Sequence, residues 1–124
     1  MAIEEGMVCR TLSADGDLSA SFLEFVKRTS TGVTVCSSQG EAAHGVLQNK
    51  PTAAGHAATV AVAGTVKVYA GATIAQGARI TTGADGRAEV AATGDFVVGV
   101  ARTGGADGEI ISVELVPSLG AVSA

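Results

Sequence analysis

From Val33 onward the sequence is a series of short apolar runs separated by glycine-rich turns. The segment Gly-Ala-Asp-Gly occurs twice, at 83–86 and at 105–108, each time ahead of a run in which apolar and polar residues alternate. Alternation with a period of two places the apolar side chains on one face of a β-strand, and Gly and Asp favour tight turns. Many short strands at regular spacing are typical of a β-sandwich or β-barrel. The sequence therefore predicts an all-β fold.

Two of the predicted strands follow the repeated turns. The run from Glu109 to Val116 alternates most clearly, and it is the strongest strand prediction in the chain. The run from Arg87 to Ala92 predicts a second strand, in which Ala88 and Val90 face inward while the charged residues between them face water. Each turn is thus expected to lead directly into a strand.

Glycines interrupt two other apolar runs. Residues 58–70 alternate on both sides of Gly64, and this interruption predicts a hairpin over the segment. The run 96–102 has Gly99 at its centre, which indicates a β-bulge or a close approach of another backbone.

The N-terminal region carries weaker signals. Residues 18–26 fit a helical face, with Asp15 and Asp17 as candidate caps, as well as a strand from Phe22 to Lys27. The first dozen residues have no turn signal other than Gly6. We therefore expect an extended N-terminal arm, residues 1–12, that orders only against a partner, followed by a single β domain, residues 13–124.

Composition indicates that this domain associates with other subunits. The chain has 124 residues, enough for one domain, and 47% of them are hydrophobic but only 3% are aromatic. A core of Ala and Val buries little apolar area per residue, so it offsets the entropy of the chain only narrowly. Contacts between subunits would add stability.

Charge and hydropathy argue against several partners. The formal net charge is -4, and the basic residues form no cluster of the kind that binds nucleic acid. Glu4 and Glu5 stand where a secretory signal carries basic residues, so we expect no export. The most apolar stretch, residues 57–63, is much shorter than the ~20 residues that span a membrane.

No motif predicts an active site or a metal site. The nucleophile elbow, the dinucleotide loop and the phosphate loop are all absent from the sequence. The segment 15–17 begins like a calcium loop, but Ser19, Ala20 and Val26 stand at its later ligand and glycine positions. We expect no catalytic residue, no metal and no cofactor.

The histidines and cysteines are also isolated in sequence. His44 and His56 have no zinc-type spacing. Cys9 and Cys36 are expected to be free thiols, with a bridge between neighbouring strands as the alternative. A cysteine nucleophile paired with one of the histidines stays open, because such groups meet in space rather than in sequence.

One segment is more specific than its composition. The run Gly45-Val46-Leu47-Gln48-Asn49-Lys50-Pro51 resembles a stretch of the small decoration (cement) proteins of tailed-phage capsids. Without the resemblance, these residues predict a short strand at Val46 and Leu47 and a turn at Asn49. Pro51 would end the pairing of this strand, because proline has no amide hydrogen to donate. The likeness continues in order over most of the chain, through Ala54-Gly55, Ala58–Val62, Gly64, Lys67-Val68, Ala70-Gly71, Ile74, Gly77, Asp85-Gly86, Val98–Ala101 and Glu109–Leu115. Upstream, Asp17-Leu18-Ser19 and Phe25-Val26-Lys27 resemble the entry strand of the same family, so we favour a strand from Phe22 to Lys27.

The resemblance implies a compact β-barrel or tulip-like domain that is usually a trimer. It also implies a place on the outer surface of the virion capsid, bound to the major capsid protein, after synthesis in the cytoplasm of the host bacterium. No reaction would be catalysed. The N-terminal arm would then add a strand to the coat protein, and the candidate capsid contacts are Ile3, Glu4, Glu5, Met7 and Leu12.

A second function from another class is a phage fibre or adhesion module that recognises a carbohydrate of the host surface. Carbohydrate sites usually present aromatic platforms. This chain offers only Tyr69 and three phenylalanines. The scarcity of aromatic residues favours the decoration protein.

Overall fold

The computed structural model of the chain describes residues 5–115, which form nine β-strands and one short 3₁₀ helix, Ser19–Ser21. The strands are β1 (Glu5–Ser13), β2 (Phe25–Arg28), β3 (Val33–Val35), β4 (Gly45–Leu47), β5 (Ala57–Tyr69), β6 (Arg79–Thr82), β7 (Ala88–Val90), β8 (Gly99–Ala101) and β9 (Ile110–Leu115). The predicted all-β class is confirmed. Residues 5–115 contain no helix long and apolar enough to cross a membrane.

The strands form one antiparallel sheet that is strongly curled into a half-barrel. Its order is β3-β2-β4-β5-β9-β8-β6-β7, and β1 pairs with β5 outside this path. Each end strand of this path also makes one isolated bridge to a residue just after another strand. Val33 of β3 makes a parallel bridge to Ala14, just after β1, and Ala88 of β7 makes one to Ala70, just after β5.

The long strand β5 is the centre of the sheet, because β1, β4 and β9 all pair with it. The hairpin predicted over residues 58–70 is wrong: the chain continues as one strand through Gly64. This glycine has φ +92, a conformation that residues with a side chain rarely adopt. A Cβ at this position would lie 2.4 Å from the carbonyl oxygen of Gly6 on β1. Gly64 therefore bends the strand without reversing it.

The bend at Gly64 exchanges the two faces of β5. Before it, the even-numbered Val60 belongs to one apolar cluster while Ala61 belongs to the other. After it, the even-numbered Val66 and Val68 lie in the cluster of Ala61. One strand thus supplies both cores.

The main core takes buried side chains from strands on both sides of β5, including Phe25, Val46, Ile80, Ile111 and Val113. The second core lies on the opposite face of β2, β4 and the first half of β5, since neighbouring residues in these strands alternate between the clusters. Its members are Ala14, Leu18, Val26, Val33, Leu47, Ala58 and Val60.

The strands predicted after the repeated turns are confirmed as β7 and β9. One residue, Val90, faces away from the core instead of toward it. The turn 83–86 joins β6 to β7 and is closed by a hydrogen bond of 3.1 Å from the Gly86 amide to the Gly83 carbonyl. Ala88 is buried as predicted, but Val90 is 47% exposed, so its predicted inward placement is wrong. β7 is the last strand of the sheet and Val90 is its last residue, so Val90 lies at the rim of the core.

The N-terminal region differs from the sequence prediction in two places. The strand predicted from Phe22 begins at Phe25, because Leu23 has φ +62 and the 3₁₀ helix comes before it. Residues 5–13 have a partner in the same chain, where an arm ordered only by another protein was expected. Leu12 is paired with Ala58 and packs against the second core, which explains why this segment joins the sheet. The domain division at residue 12 stays a prediction.

Candidate functional site

The motif at 45–51 builds the junction between β4 and β5. Val46 and Leu47 form β4 as predicted, and they are buried on opposite faces of the sheet. A Cβ at Gly45 would lie 2.2 Å from the carbonyl oxygen of Ala61. The glycine is therefore required by the close approach of β5.

Gln48 and Asn49, the polar residues of the motif, connect the loop after β4 to strand β5 by hydrogen bonds. The side-chain amide of Asn49 donates to the Ala57 carbonyl at 2.9 Å, and its oxygen accepts the Thr59 amide at 2.9 Å. The backbone amide of Gln48 donates to the Thr59 carbonyl at 2.7 Å, and buried Pro51 accepts the Leu18 amide through its carbonyl at 2.9 Å. All six candidate motif residues thus have structural roles in the junction between β4 and β5.

Strand β1 lies at an edge of the sheet and carries exposed apolar side chains. Within residues 5–115, β1 pairs only with β5, so its other side, which we call the β1 edge, has no strand neighbour. Residues 6–11 are all exposed, including Met7 at 38% and Val8 at 52%. Natural proteins usually protect such edges with Lys, Pro or a covering loop. From residue 6 to residue 13, Arg10 is the one charged residue of β1.

The candidate capsid contacts fall into three groups. Ile3 and Glu4 lie outside the described residues. Glu5 begins β1 opposite Thr65, and Met7 is exposed beside the β1 edge. Leu12 is half-buried against the second core, so it packs within its own chain. Sequence reasoning missed Val8, the most exposed large apolar side chain among the described residues.

An open groove of about 510 Å³ lies beside the C-terminal end of β1. Hydroxyl side chains dominate its lining, which consists of Thr11, Leu12, Ser13, Arg28, Thr29, Ser30, Thr31, Gly32, Gly55 and Ala57. The Asp15 carboxylate accepts hydrogen bonds from the hydroxyls of Thr29 and Thr31. Asp15 therefore holds the turn between β2 and β3.

Charged side chains gather where the turn 83–86 approaches the start of β2. Arg87 lies 3.6 Å from the carboxylate of Glu24, and its guanidinium stands 5.5 Å from the centre of the Tyr69 ring. Burial raises the pKa of Glu24, while the positive charge of Arg87 acts in the opposite direction.

The two Gly-Ala-Asp-Gly turns come together in space near Glu89. Burial raises the pKa of Glu89, and the negative charges of Asp85 and Asp107, one from each turn, raise it further. Glu89 therefore lies within electrostatic reach of both turns.

The two cysteines and His44 have different surroundings. Cys9 and Cys36 are both free; Cys9 is exposed, whereas burial raises the pKa of the Cys36 thiol to about 12. Burial and the positive charges of Arg28 and Arg10 lower the pKa of His44. Among residues 5–115, no three His, Cys, Asp or Glu side chains are grouped so that they could hold a metal ion.

The strands and cores together define an all-β protein built on one curled antiparallel sheet. The chain is similar in structure to the N base of the head fiber protein gp8.5 of bacteriophage phi29, with a TM-score of 0.65 and 22% sequence identity. The match covers 90% of this chain and 96% of that chain. No protein-family model matches the sequence, and no curated protein is significantly similar to it. The likeness to the fiber base is therefore one of fold.

Proposed function

We propose that this chain is a structural protein of a tailed-phage virion, which binds the outer surface of the capsid as a homo-oligomer and stabilises the shell. The observation that carries the proposal is the fold similarity to the base of a phage head fiber over nearly the whole of both chains. The ordered resemblance to decoration proteins, centred on residues 45–51, supports the same function independently. The protein would be made in the cytoplasm of the host bacterium.

The mechanism is multivalent adhesion without catalysis. Each subunit makes a weak contact with the major capsid protein. Once one subunit of an oligomer is bound, the others are held near the capsid at a high effective concentration, so the whole oligomer binds tightly. The resemblance implies a trimer. A core built largely from Ala and Val supports an oligomer, because contacts between subunits add stability that the core lacks.

The N-terminal segment, residues 1–12, is the proposed attachment region. Its described part is a strand with an unpaired edge and the exposed side chains of Met7 and Val8. Adding a strand of the coat protein to this edge would supply main-chain hydrogen bonds, and the apolar side chains would fill pockets. Ile3, Glu4 and Glu5 belong to the same segment.

Co-sedimentation with capsids tests this function. Capsids from the phage that carries the gene are prepared without this protein and are mixed with the purified chain. We expect the chain to sediment with the capsids and to add density to their outer surface in electron micrographs. Failure to sediment with intact, expanded capsids would contradict the proposal.

A further inference from the structure

Two arginines extend the face of the sheet that carries the second core. Arg10 pairs with Val60 across β1 and β5, and Val60 is buried in that core. Arg28 is the last residue of β2 and pairs with Val33, which is buried in the same core. Directly paired residues of antiparallel strands lie on one face of the sheet. Both arginines therefore lie at the rim of the second core, where they are exposed.

The open groove beside β1 brings this part of β1 and the end of β2 together. Leu12 and Arg28 both line the groove, although β1 and β2 are not paired with each other. Residues 10 and 12 lie on the same face of β1, so Arg10 stands next to the groove. Three hydroxyls of the lining make no hydrogen bond within residues 5–115, and they belong to Thr11, Ser13 and Ser30.

Neither arginine is paired with a carboxylate in the described part of the chain. The ion pairs found there are Lys27 with Glu41, Arg87 with Glu24, and Arg102 with Glu114. Asp15, which contacts the turn after Arg28, accepts hydrogen bonds from threonine hydroxyls instead. Uncompensated positive charge therefore collects at this rim, in a chain whose net charge is -4.

The ring of His44 senses both arginines. The backbone amide of His44 donates to the Val26 carbonyl at 2.8 Å, two residues before Arg28. Burial lowers the pKa of His44, and the positive charges of Arg28 and Arg10 lower it further. Its buried Nε2 has no hydrogen-bond partner among residues 5–115, so no acceptor at this atom offsets those charges. Guanidinium groups from β1 and β2 thus act on one point.

We propose that the rim of the second core beside this groove binds an oxyanion, either a phosphate or a carboxylate group. We call this site the basic rim; its donors are the guanidinium groups of Arg10 and Arg28 and the hydroxyls of Thr11, Ser13 and Ser30. A guanidinium group presents its N–H donors in a planar fork that matches both kinds of oxyanion. The groove lining contains no aromatic side chain, which argues for a charged group rather than the ring of a neutral sugar.

The position of the basic rim suggests what carries the oxyanion in the virion. Arg10 belongs to the proposed attachment region, so a carboxylate of the coat protein is the expected occupant. This consequence rests on the proposed function. Oxyanion binding by the purified chain does not.

Calorimetric titration of the purified chain with inorganic phosphate and with succinate tests the site. We expect saturable binding of at least one of the two anions, and the stronger one shows which group fits. Arg28→Gln and Arg10→Gln should each weaken binding about tenfold, because each removes hydrogen bonds to a charged group.

Arg79→Gln is the matched control for these two variants. Arg79 is exposed on β6, makes no ion pair among residues 5–115, and precedes Ile80, which is buried in the main core. Circular dichroism checks that each variant is folded. The absence of saturable binding, or an equal loss in Arg79→Gln, would overturn the site.

The titration of His44 gives a readout that a structural effect alone would not move. A bound anion opposes the positive charges of Arg28 and Arg10, so it should raise the pKa of His44 measured by NMR. An unchanged His44 pKa in saturating anion would overturn the site. Capsid binding by a chain that binds neither anion would reject the basic rim and leave the proposed function standing. Anion binding without capsid binding would do the reverse.

Discussion

At the scale of single residues, two glycines permit the closest contacts between strands. A Cβ at Gly99 would lie 2.2 Å from the carbonyl oxygen of Glu114, and one at Gly45 would lie equally near that of Ala61. The sequence predicted a bulge or a close approach at Gly99. The close approach is confirmed, while the register of β8 on β9 runs without a bulge from Gly99 to Ala101.

Replacing Gly45 by alanine should destabilise the fold. The added methyl group meets the backbone of β5, which cannot move aside as a flexible side chain would, so we expect a loss of about 1–3 kcal/mol in the free energy of unfolding. Gly16→Ala is the matched control, because no atom lies within 4 Å of a Cβ built there. Urea denaturation measures both variants. Equal stability of the two variants would contradict the close approach.

The two cysteines should differ sharply in reactivity. Cys9 is exposed, whereas Cys36 is 1% exposed and has a pKa of about 12, so little thiolate forms at neutral pH. A thiol reagent should modify one group in the native protein and a second only after unfolding. Mass spectrometry of digested samples identifies the residue, with Cys9→Ser as control. Rapid native modification of Cys36 would show that the main core opens.

At the scale of elements, the sequence predicted strands well where alternation and turns agreed, as in β9 and β7. It failed at β5, because Gly64 looks the same in sequence whether the chain reverses or bends. The difference depends on a neighbour, Gly6 of β1, which lies far away in sequence. The sequence pattern also could not predict that the even-numbered residues of β5 change faces at Gly64, because it assumes a constant period of two.

The exposed apolar side chains of β1 were predicted only in part for the same reason. Met7 was named as a candidate contact from its apolar character within an unmatched segment and is exposed, but Leu12 has the same character and packs inside the chain. Val8 was missed. Which of these side chains stays exposed depends on the pairing of β1 with β5, whose register shifts on both sides of Val8.

Gly64→Ala should be more destabilising than alanine at another glycine with positive φ. Gly77 has φ +89 but no atom within 4 Å of a built Cβ, so Gly77→Ala measures backbone strain alone, about 1–2 kcal/mol. Gly64→Ala adds the clash with Gly6 and should lose more. Thermal and urea unfolding of the pair provide the comparison, and a smaller loss at Gly64 would show that β1 leaves β5 easily.

At the scale of the whole molecule, the two halves of β1 differ in how they pair with β5. Residues 6–8 are exposed and irregularly paired, while the second half, from Cys9 to Ser13, keeps a regular register with β5 and carries Leu12 onto the second core. The proposed attachment and the packing of Leu12 therefore fall on different parts of one strand.

Two truncations should separate these roles. Removing residues 2–8 should leave a folded protein that binds capsids poorly. Removing residues 2–12 should in addition lower the free energy of unfolding, by about 1–2 kcal/mol for the half-buried Leu12 alone. Thermal unfolding and co-sedimentation are measured for both proteins and the full chain. Full capsid binding after removal of residues 2–8 would place the contact elsewhere.

The central position of β5 also determines when the chain can fold during synthesis. Its partners come from opposite ends of the sequence: Glu5 pairs with Thr65, and Gly64 pairs with Leu115. Contacts between distant residues slow folding, because the intervening chain must be ordered before they form. The central strand stays incompletely paired until β9 has left the ribosome. The sheet is therefore expected to close only after residues 110–115 have been synthesised, with the small hairpin of β6 and β7 as an early local structure.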